Sequence, residues 1–279
     1  MPQDKYSAVW VSHSSLGDFL KCPRAYYLHN VYKDPKTRRK INIVSPALSL
    51  GSAVHEVVEG LLNYPAGDRA KQPLFAQFDE AWTKVSGKKG GFIDPSQEAE
   101  YHQRGRKMIE RVMAHPGPLL NKAIRLAPHE NDMPPNFLLS EKENIILCGK
   151  IDWLEYLPET DSLHVIDFKT GKNEEGSDSL QLPIYLLLLN NLQKRKVGKA
   201  SYWYLETDNK LTPVFLPTAD EAYEKVFDVA IRVKKAREKG DFSCPRGGCF
   251  ACRPFEKILN GEAEYLGTGG YGQDIYFVK

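Results

Sequence analysis

Residues 165–171 of this chain of 279 residues read Val165-Ile166-Asp167-Phe168-Lys169-Thr170-Gly171. The run from Leu163 to Phe168 is short and apolar and ends near a glycine, so it predicts a β-strand. Asp167 and Lys169 are two positions apart, and an extended chain therefore places their side chains on one face and Phe168 on the other. The stretch thus predicts a carboxylate beside an ammonium group, above an apolar residue packed in a core.

A second carboxylate comes from Asp152, in the run from Ile145 to Leu157, which is rich in β-branched and aromatic residues and predicts another strand. Two hard oxygen ligands beside a cation suit Mg²⁺ or Mn²⁺. Phosphodiester hydrolysis needs this combination, because a metal polarises the phosphate and binds a water while a cation stabilises developing charge. The other interpretation is a surface ion pair worth about 0–1 kcal/mol, since an Asp-x-Lys triplet is common by chance.

Short motifs stand in a characteristic order around this stretch. Gly51 and His55 form a Gly-x-x-x-His motif upstream, and Gln181 and Tyr185 form a Gln-x-x-x-Tyr motif downstream. Together with the Asp-x-Lys triplet they resemble the PD-(D/E)XK nuclease superfamily, in particular its RecB-like branch. The superfamily is named for a proline directly before its key aspartate. Here Lys150-Ile151 stands before Asp152 instead, which is usual for the RecB-like branch.

The resemblance implies roles for these residues. The metal would be held by His55, Asp152, Asp167 and the main-chain carbonyl of Phe168, with one or two ions both possible. Lys169 would orient the attacking water or stabilise the pentavalent phosphate. Gln181 and Tyr185 would position Lys169 or the DNA backbone.

The sequence around His55 leaves open whether it is a metal ligand or a packed core residue. His55 lies at the margin of an apolar helical stripe between Leu48 and Leu62, where a lone histidine is more often a packed core residue than a ligand. Gly51 favours the ligand interpretation, because a missing side chain lets another element approach closely. Downstream, the nearly all-apolar segment from Leu180 to Leu192 predicts a helix buried against a sheet, with Pro183 in its first turn.

Cysteine spacing is the second strong signal. Cys244, Cys249 and Cys252 lie within nine residues, and Cys22 is a remote fourth. The chain is expected to be cytoplasmic, where clustered cysteines bind metal rather than form disulfides. The pattern resembles iron-sulfur nucleases of the RecB-like branch, which implies a structural 4Fe-4S cluster. Zinc is the competing interpretation, although structural zinc usually uses two local cysteine pairs. Cys148 is predicted to be a small core residue.

Composition narrows the possible functions. The net charge is +2, so a DNA site must come from local clustering of basic residues. No run approaches the roughly 18 apolar residues of a membrane helix, and the polar start from Met1 to Tyr6 is not typical of a signal peptide. The chain lacks a phosphate-binding loop and a dinucleotide motif, so a helicase partner would be a separate polypeptide.

Basic residues cluster in two places. The loop from Lys33 to Lys40 is either a phosphate contact or a solvated loop. Two predicted helices, Gln72 to Ser86 and Ser96 to Ala114, resemble a helical insertion that lines the path of DNA, and a solvated face is an equal alternative. A connecting region from Ala114 to Asn136 follows. Glu141 is predicted near a strand end, as a surface charge or an additional metal group. The basic residues of the second helix are Arg104, Arg106, Lys107 and Arg111.

These observations predict one α/β domain spanning residues 1–279, with a restriction-endonuclease-like core. A mixed central sheet would be flanked by helices, with a helical insertion at about 65–130 and a cysteine region at 240–256 joined to Cys22 as a C-terminal iron-sulfur staple. The sheet is expected to run from Phe137 to Leu216 through several strands, and no role is assigned to the tail from Glu256 to Lys279.

The predicted function is a metal-dependent DNA exonuclease acting on ends or single strands. It would serve DNA repair and recombination, beside a helicase, or CRISPR adaptation, beside an integrase. Two alternatives are a non-catalytic module that binds DNA ends and a zinc-stabilised scaffold that leaves DNA intact.

Overall fold

The computed structural model describes residues 7–126 and 133–279. The polar start Met1 to Tyr6 and part of the connecting region, including Pro128, lie outside the described residues. Helices and strands are mixed along the chain, which confirms the α/β class. The α-helices are α1 His13–Lys21, α2 Pro23–Tyr26, α3 Pro46–Gly60, α4 Leu74–Thr83, α5 Pro95–Ala114, α6 Gln181–Leu192, α7 Ala219–Lys239 and α8 Arg253–Leu259. The strands are β1 Val9–Val11, β2 Ile41–Ile43, β3 Asn136–Ser140, β4 Ile145–Cys148, β5 Trp153–Leu157, β6 Ser162–Lys169, β7 Lys196–Tyr204, β8 Thr212–Val214, β9 Glu264–Thr268 and β10 Asp274–Phe277.

A four-stranded mixed sheet with the order β5-β6-β7-β8 contains Asp167 and Lys169, which lie on β6. Strand β6 pairs antiparallel with β5 and parallel with β7. Its side chains alternate between two apolar cores, because successive residues of a strand point to opposite faces. Leu163 and Val165 pack with α6 and α7, whereas Ile166 and Phe168 pack with α3, α4 and α5. The sheet is therefore covered on both faces, and Asp167 lies on the face towards α6.

The prediction of one strand over residues 145–157 is wrong. Strand β4 pairs with β1 and β3 in a separate three-stranded sheet, while β5 belongs to the four-stranded sheet. Strand β4 ends at Cys148, and α6 packs closely beside the next residue, since a Cβ added to Gly149 would lie 3.0 Å from the Cδ1 of Leu188. Because β4 pairs with β1 and β3 while β5 pairs with β6, the single sheet expected from Phe137 to Leu216 is divided in two. Asp152 consequently precedes β5 instead of lying within a strand.

The first helical segment of the chain is interrupted at Cys22. Ser12 caps α1 by accepting a hydrogen bond from the amide of Ser15, and α1 ends at Lys21. Pro23 then starts α2, as expected for a residue whose ring cannot continue a helix. Cys22 stands between the two helices in an extended conformation, with φ −168° and ψ 117°. Its thiol is fully buried at the bend.

The C-terminal tail, to which the sequence analysis assigned no role, contributes β9 and β10 to a third sheet with the order β2-β10-β9. Strand β10 pairs parallel with β2 and antiparallel with β9. Because β2 directly precedes α3, the tail is attached beside the helix that carries His55. In the described part of the chain, no helix is long and apolar enough to cross a membrane.

Candidate active site

Two buried carboxylates meet at the end of β6. Asp152 is 7% exposed and Asp167 is 1% exposed. The backbone amide of Phe168, between Asp167 and Lys169, donates to Asp152 Oδ2 at 2.9 Å. This bond ties the residue before β5 to the end of β6. The structure thus brings together the two carboxylates that the sequence predicted, although by a loop and a strand rather than by two strands.

Residues of α6 hold Asp167. The Gln181 side-chain amide donates to Asp167 Oδ1 at 2.5 Å, and the Tyr185 hydroxyl donates to the same oxygen at 3.0 Å. Gln181 Nε2 also lies 3.1 Å from the Tyr185 hydroxyl oxygen. The two residues are four positions apart, so one face of α6 presents both groups to the carboxylate.

Lys169 is held by acceptors on several sides. Its Nζ lies 3.0 Å from Asp167 Oδ2 and 3.0 Å from Glu175 Oε2, and it also donates to the Gln181 side-chain carbonyl. Its ammonium group lies 5.0 Å from the centre of the Tyr202 ring. Burial lowers the pKa of Lys169, but the charge of Asp167 and the bond to Glu175 outweigh it, and the pKa is raised. Lys169 therefore stays an ammonium group.

His55 approaches the carboxylates from α3. Its Nδ1 lies 3.7 Å from Asp152 Oδ2 and 3.0 Å from Glu59 Oε1. The sequence analysis missed Glu59, and also Glu175 beside Lys169. The signal for Glu59 was its spacing, because a residue four positions after His55 lies on the same helix face. Lys150 Nζ contacts the other oxygen, Glu59 Oε2, at 2.5 Å.

The electrostatics of the cluster favour a bound cation. Burial, followed by the charge of Asp167, raises the pKa of Asp152 to about 7. Burial alone would lower the pKa of His55, but its bond to Glu59 and the charge of Asp152 raise it. Burial would raise the pKa of Glu59, and its bonds to His55 and Lys150 lower it instead. Carboxylates that resist ionisation because they are buried together are stabilised as anions by a nearby positive charge.

The residues present fit a divalent cation. One nitrogen and two carboxylate oxygens, from His55, Glu59 and Asp152, lie within 4.8 Å of one another. Asp167 Oδ2, beside them, is buried and accepts no hydrogen bond from the described residues, although Lys169 is its ion-pair partner. A mixed oxygen and imidazole donor set suits Mn²⁺, and the carboxylates also suit Mg²⁺.

The arginines predicted to line a DNA path are bonded within the protein. Arg104 forms a bidentate pair with Glu206 at 3.0 Å for both bonds. Arg106 pairs with Asp79 at 2.6 Å, and Arg111 donates to the carbonyl of Leu205. The alternative interpretation, a solvated helix face, does not fit Arg104 either, since Arg104 and Glu206 are mostly buried. These partners became visible only when the elements were placed in space. Of this set, Lys107 remains exposed.

Two other predicted candidates lie outside the site. In the loop from residue 33 to 40, Arg39 lies 3.5 Å from Asp274 and donates to Thr268, so it fastens the C-terminal sheet. Glu141 is exposed in the turn between β3 and β4, which fits the surface charge rather than the metal group. Neither contributes a donor to the carboxylate cluster described above.

The four predicted cysteines form a separate centre. The sulfur atoms of Cys22, Cys244, Cys249 and Cys252 lie within 4.8 Å of one another, and all four are free thiols. The amide of Cys252 and other backbone donors lower the pKa of Cys249 to about 6, whereas burial raises that of Cys22 to about 12. Four converging thiols suit a metal that binds thiolates. Cys148 lies apart and donates to the carbonyl of Val11 at 3.5 Å.

Side chains reinforce the join between the chain ends. Arg24, two residues after Cys22, forms a bidentate pair with Glu256 of α8 at 2.6 and 3.3 Å. The rings of Tyr27 and Phe242 stack with centroids 4.9 Å apart. The N-terminal helices and the cysteine-rich segment therefore pack as neighbours, and a metal would add to contacts that already exist.

Comparison with known proteins agrees with this geometry. A sequence profile of the PD-(D/E)XK nuclease superfamily matches residues 10–254, which include both carboxylates and all four clustered cysteines. Among curated proteins, the sequence comparison found no significant match. Membership of this superfamily implies a nuclease that depends on divalent metal and has DNA as its substrate. Because the profile covers most of the chain, this protein belongs to the PD-(D/E)XK nuclease superfamily.

Proposed function

We propose that the chain is a DNA exonuclease of the RecB-like branch, hydrolysing phosphodiester bonds at DNA ends or in single strands. The observation that carries the proposal is the convergence of His55, Asp152, Asp167 and Lys169 at the end of β6. A structural ion pair alone would not gather a histidine and two buried carboxylates beside the lysine, because unpaired buried charge is costly.

The metal ligands would be His55, Asp152, Asp167 and the carbonyl of Phe168, with Glu59 added by the structure. A divalent cation bound there would polarise the phosphate and activate a water for attack on phosphorus. Glu59 lies close enough to share the cation with His55, since its Oε1 is 3.0 Å from His55 Nδ1. Its other oxygen contacts Lys150, which is 72% exposed and free to turn towards solvent when a cation takes its place.

The chain's own cation would act on the phosphate. Lys169 keeps its charge because Asp167 and Glu175 raise its pKa, so its ammonium can hold the water or stabilise the charge that develops on the phosphoryl oxygens. Gln181 bonds both to Lys169 and to Asp167, and it therefore fixes the distance between the metal ligand and the ammonium. Tyr185 holds Asp167 from the same helix face.

For the cysteine centre we propose a structural 4Fe-4S cluster, on the resemblance of its cysteine pattern to iron-sulfur nucleases. Zinc is the second candidate, and a distance favours it. A Zn–S bond of about 2.3 Å places tetrahedral thiolates about 3.8 Å apart, and the sulfur atoms of Cys249 and Cys252 are separated by 3.8 Å. Anaerobic purification followed by absorption, iron, sulfide and zinc analysis distinguishes them: the cluster gives a brown protein with equal iron and sulfide, whereas zinc gives a colourless one.

The biological setting would be DNA repair beside a helicase or CRISPR adaptation beside an integrase, in the cytoplasm. The modest net charge of +2 is compatible with a nuclease that acts on DNA delivered by a partner. Co-purification with either partner, from cells that express both, would separate the two settings.

The test of the exonuclease activity compares linear DNA, labelled at either end, with covalently closed circular single strands, in Mg²⁺ or Mn²⁺. An exonuclease degrades the linear substrates, spares the circles, and reveals its polarity from the product ladder. The Lys169→Ala variant should lose activity, whereas Lys172→Ala, which removes an exposed lysine three positions later, should keep it. Cleaved circles would refute the exonuclease assignment, and a wild type that binds DNA but cleaves none would favour the DNA-end-binding module.

A further inference from the structure

The C-terminal hairpin, residues 264–277, carries a fully exposed aromatic ring at its tip. Tyr271 is 99% exposed and stands in a Gly269-Gly270-Tyr271-Gly272 turn. Gly272 adopts φ +75°, a conformation that side chains rarely take, and its amide donates to the carbonyl of Gly269 at 2.9 Å. A ring with no buried surface adds nothing to the core, so its removal should leave the fold intact.

The hairpin is fastened on both strands, at the turn through Asp274 and at the base through Glu264. Asp274, at the start of β10, is fully buried and accepts a hydrogen bond from Thr37 at 2.5 Å. Its amide donates to the carbonyl of Lys40, directly before β2. On the other strand, Glu264 pairs with Lys88 at 2.9 Å. The tip therefore has a defined position relative to α3, which follows β2 in the chain.

This position places Tyr271 at the candidate active site. The ring lines a cleft of about 720 Å³ whose wall also includes Glu59, Lys150 and Asp152. Two of these residues belong to the metal group described above. The cleft is large enough for a nucleotide or two, since small-molecule sites are typically about 300–1,000 Å³.

With a divalent cation at the carboxylates, charge favours this cleft over a second cleft as the entrance for DNA. Besides the metal-binding carboxylates, its wall holds the cations Lys150 and Arg125 and one further acid, Glu56, which is already paired with Lys84 at 2.5 Å. A cleft of about 450 Å³ on the Lys169 side is acidic instead, because a single lysine faces three glutamates there. The first cleft holds three acids and two cations, so a divalent cation at its carboxylates would make it net positive and attractive to a polyanion, whereas the second cleft stays acidic. The charged residues of the second cleft are Glu174, Glu175, Glu221 and Lys225.

We propose that Tyr271 stacks on a nucleobase of single-stranded DNA in this cleft and so positions the phosphodiester next to it at the carboxylate cluster. The proposal rests on the nuclease function proposed above and adds a residue that holds the substrate. Stacking suits an enzyme without sequence preference, because every base offers a flat aromatic face. A ring at the tip of a short hairpin reaches a base without forming base-specific hydrogen bonds.

The test measures binding without cleavage, in a Lys169→Ala background. A single-stranded oligonucleotide carries 2-aminopurine near one end, and stacking on an aromatic ring quenches its fluorescence. Tyr271→Ala should abolish the quenching and weaken binding by about 5- to 150-fold, the range of base–aromatic stacking. Tyr271→Trp should keep both. Phe215→Ala is the matched control, since Phe215 is equally exposed but lines the acidic cleft, and it should bind like the parent protein.

The outcomes separate this proposal from the function on which it rests. If Tyr271→Ala quenches and binds like the parent, or if Phe215→Ala loses as much, the stacking role is overturned even when the wild type cleaves DNA. Loss of quenching in Tyr271→Ala alone, with an unchanged Tm, supports stacking even if the wild type proves unable to cleave. In that case the nuclease function fails while the DNA contact stands.

Discussion

The Tyr185→Phe substitution removes a single oxygen from the support of Asp167. The Tyr185 hydroxyl donates to Asp167 Oδ1 at 3.0 Å, inside a site where Tyr185 is 5% exposed. The ring stays in the apolar cluster formed with α7 and the sheet, so packing is preserved. Gln181 then remains as the other described donor to that oxygen. The substitution therefore isolates one hydrogen bond to a buried carboxylate.

The expected magnitude follows from the type of bond. A hydrogen bond to a charged group contributes about 1.5–3 kcal/mol, more than a neutral one. With roughly 2 °C of Tm per kcal/mol for a domain of this size, the metal-free protein should melt about 3–6 °C lower. If the transition state loses the same free energy, kcat falls by about 10- to 150-fold, because each 1.36 kcal/mol is a factor of ten.

The assay pairs this variant with Tyr156→Phe. Tyr156 donates to Asp161 Oδ1 at the same 3.0 Å, but the bond is exposed. The two substitutions therefore make the same chemical change to the same kind of pair and differ in burial. Thermal melts in chelator should show no more than about 1 °C of change for Tyr156→Phe, since exposed interactions contribute little. Cleavage rates of the two variants are then measured with saturating metal.

Equal melting shifts in the two variants would refute the reasoning, because burial would then not strengthen the bond. An unchanged cleavage rate in Tyr185→Phe, together with a lowered Tm, would separate the two roles. The hydroxyl would then stabilise the fold without positioning Asp167 for reaction.

Three further predictions follow from other parts of the structure. Burial raises the pKa of Asp152 to about 7, so its stabilising contribution is complete below about pH 4 and is lost as the pH rises through 7. In chelator, Asp152→Asn should therefore gain stability relative to the wild type between pH 5 and pH 8 in thermal melts, and a constant difference would contradict this. Cys22→Ser should lose the bound metal or cluster and lower the Tm, whereas Cys148→Ser, outside the centre, should retain its metal content on elemental analysis. Arg104→Gln leaves Glu206 without its partner and should cost about 1–3 kcal/mol of stability, yet leave the salt dependence of DNA binding unchanged; a shallower slope would restore Arg104 as a phosphate contact.

Much of the site could be predicted because its chemistry is local in sequence. The Asp167 and Lys169 pair follows from the two-residue period of one strand, and Gln181 and Tyr185 follow from the four-residue spacing of one helix face. The convergence of Cys22 with the distant cysteines required only that four thiols share one centre. The first two patterns depend on residue spacing, which a sequence displays directly, whereas Cys22 was inferred because three local cysteines are one ligand short.

The remainder depended on contacts between distant segments. Strand β4 pairs with β1, which lies far away in the sequence, and no feature of β4 itself reveals that pairing. Arg104 reads as a free cation until its helix is placed beside Glu206, 102 positions later. Tyr271 likewise gains a role only when the third sheet sets the hairpin tip beside α3. Glu59 is the exception, since its spacing from His55 was visible and was overlooked.

Direct binding of Mn²⁺ tests the central claim, that the carboxylate cluster is the metal site of the nuclease. Electron paramagnetic resonance of free Mn²⁺ is followed as the ion is titrated into wild type, Asp152→Asn and Asp161→Asn; Asp161 is an exposed carboxylate paired with Arg195. Wild type and Asp161→Asn should bind alike. Asp152→Asn should bind Mn²⁺ more weakly by about 10- to 100-fold or more, because losing a group that only supports a metal ligand already weakens binding by about that much. Equal Mn²⁺ affinity in all three proteins would contradict the claim and place the metal elsewhere.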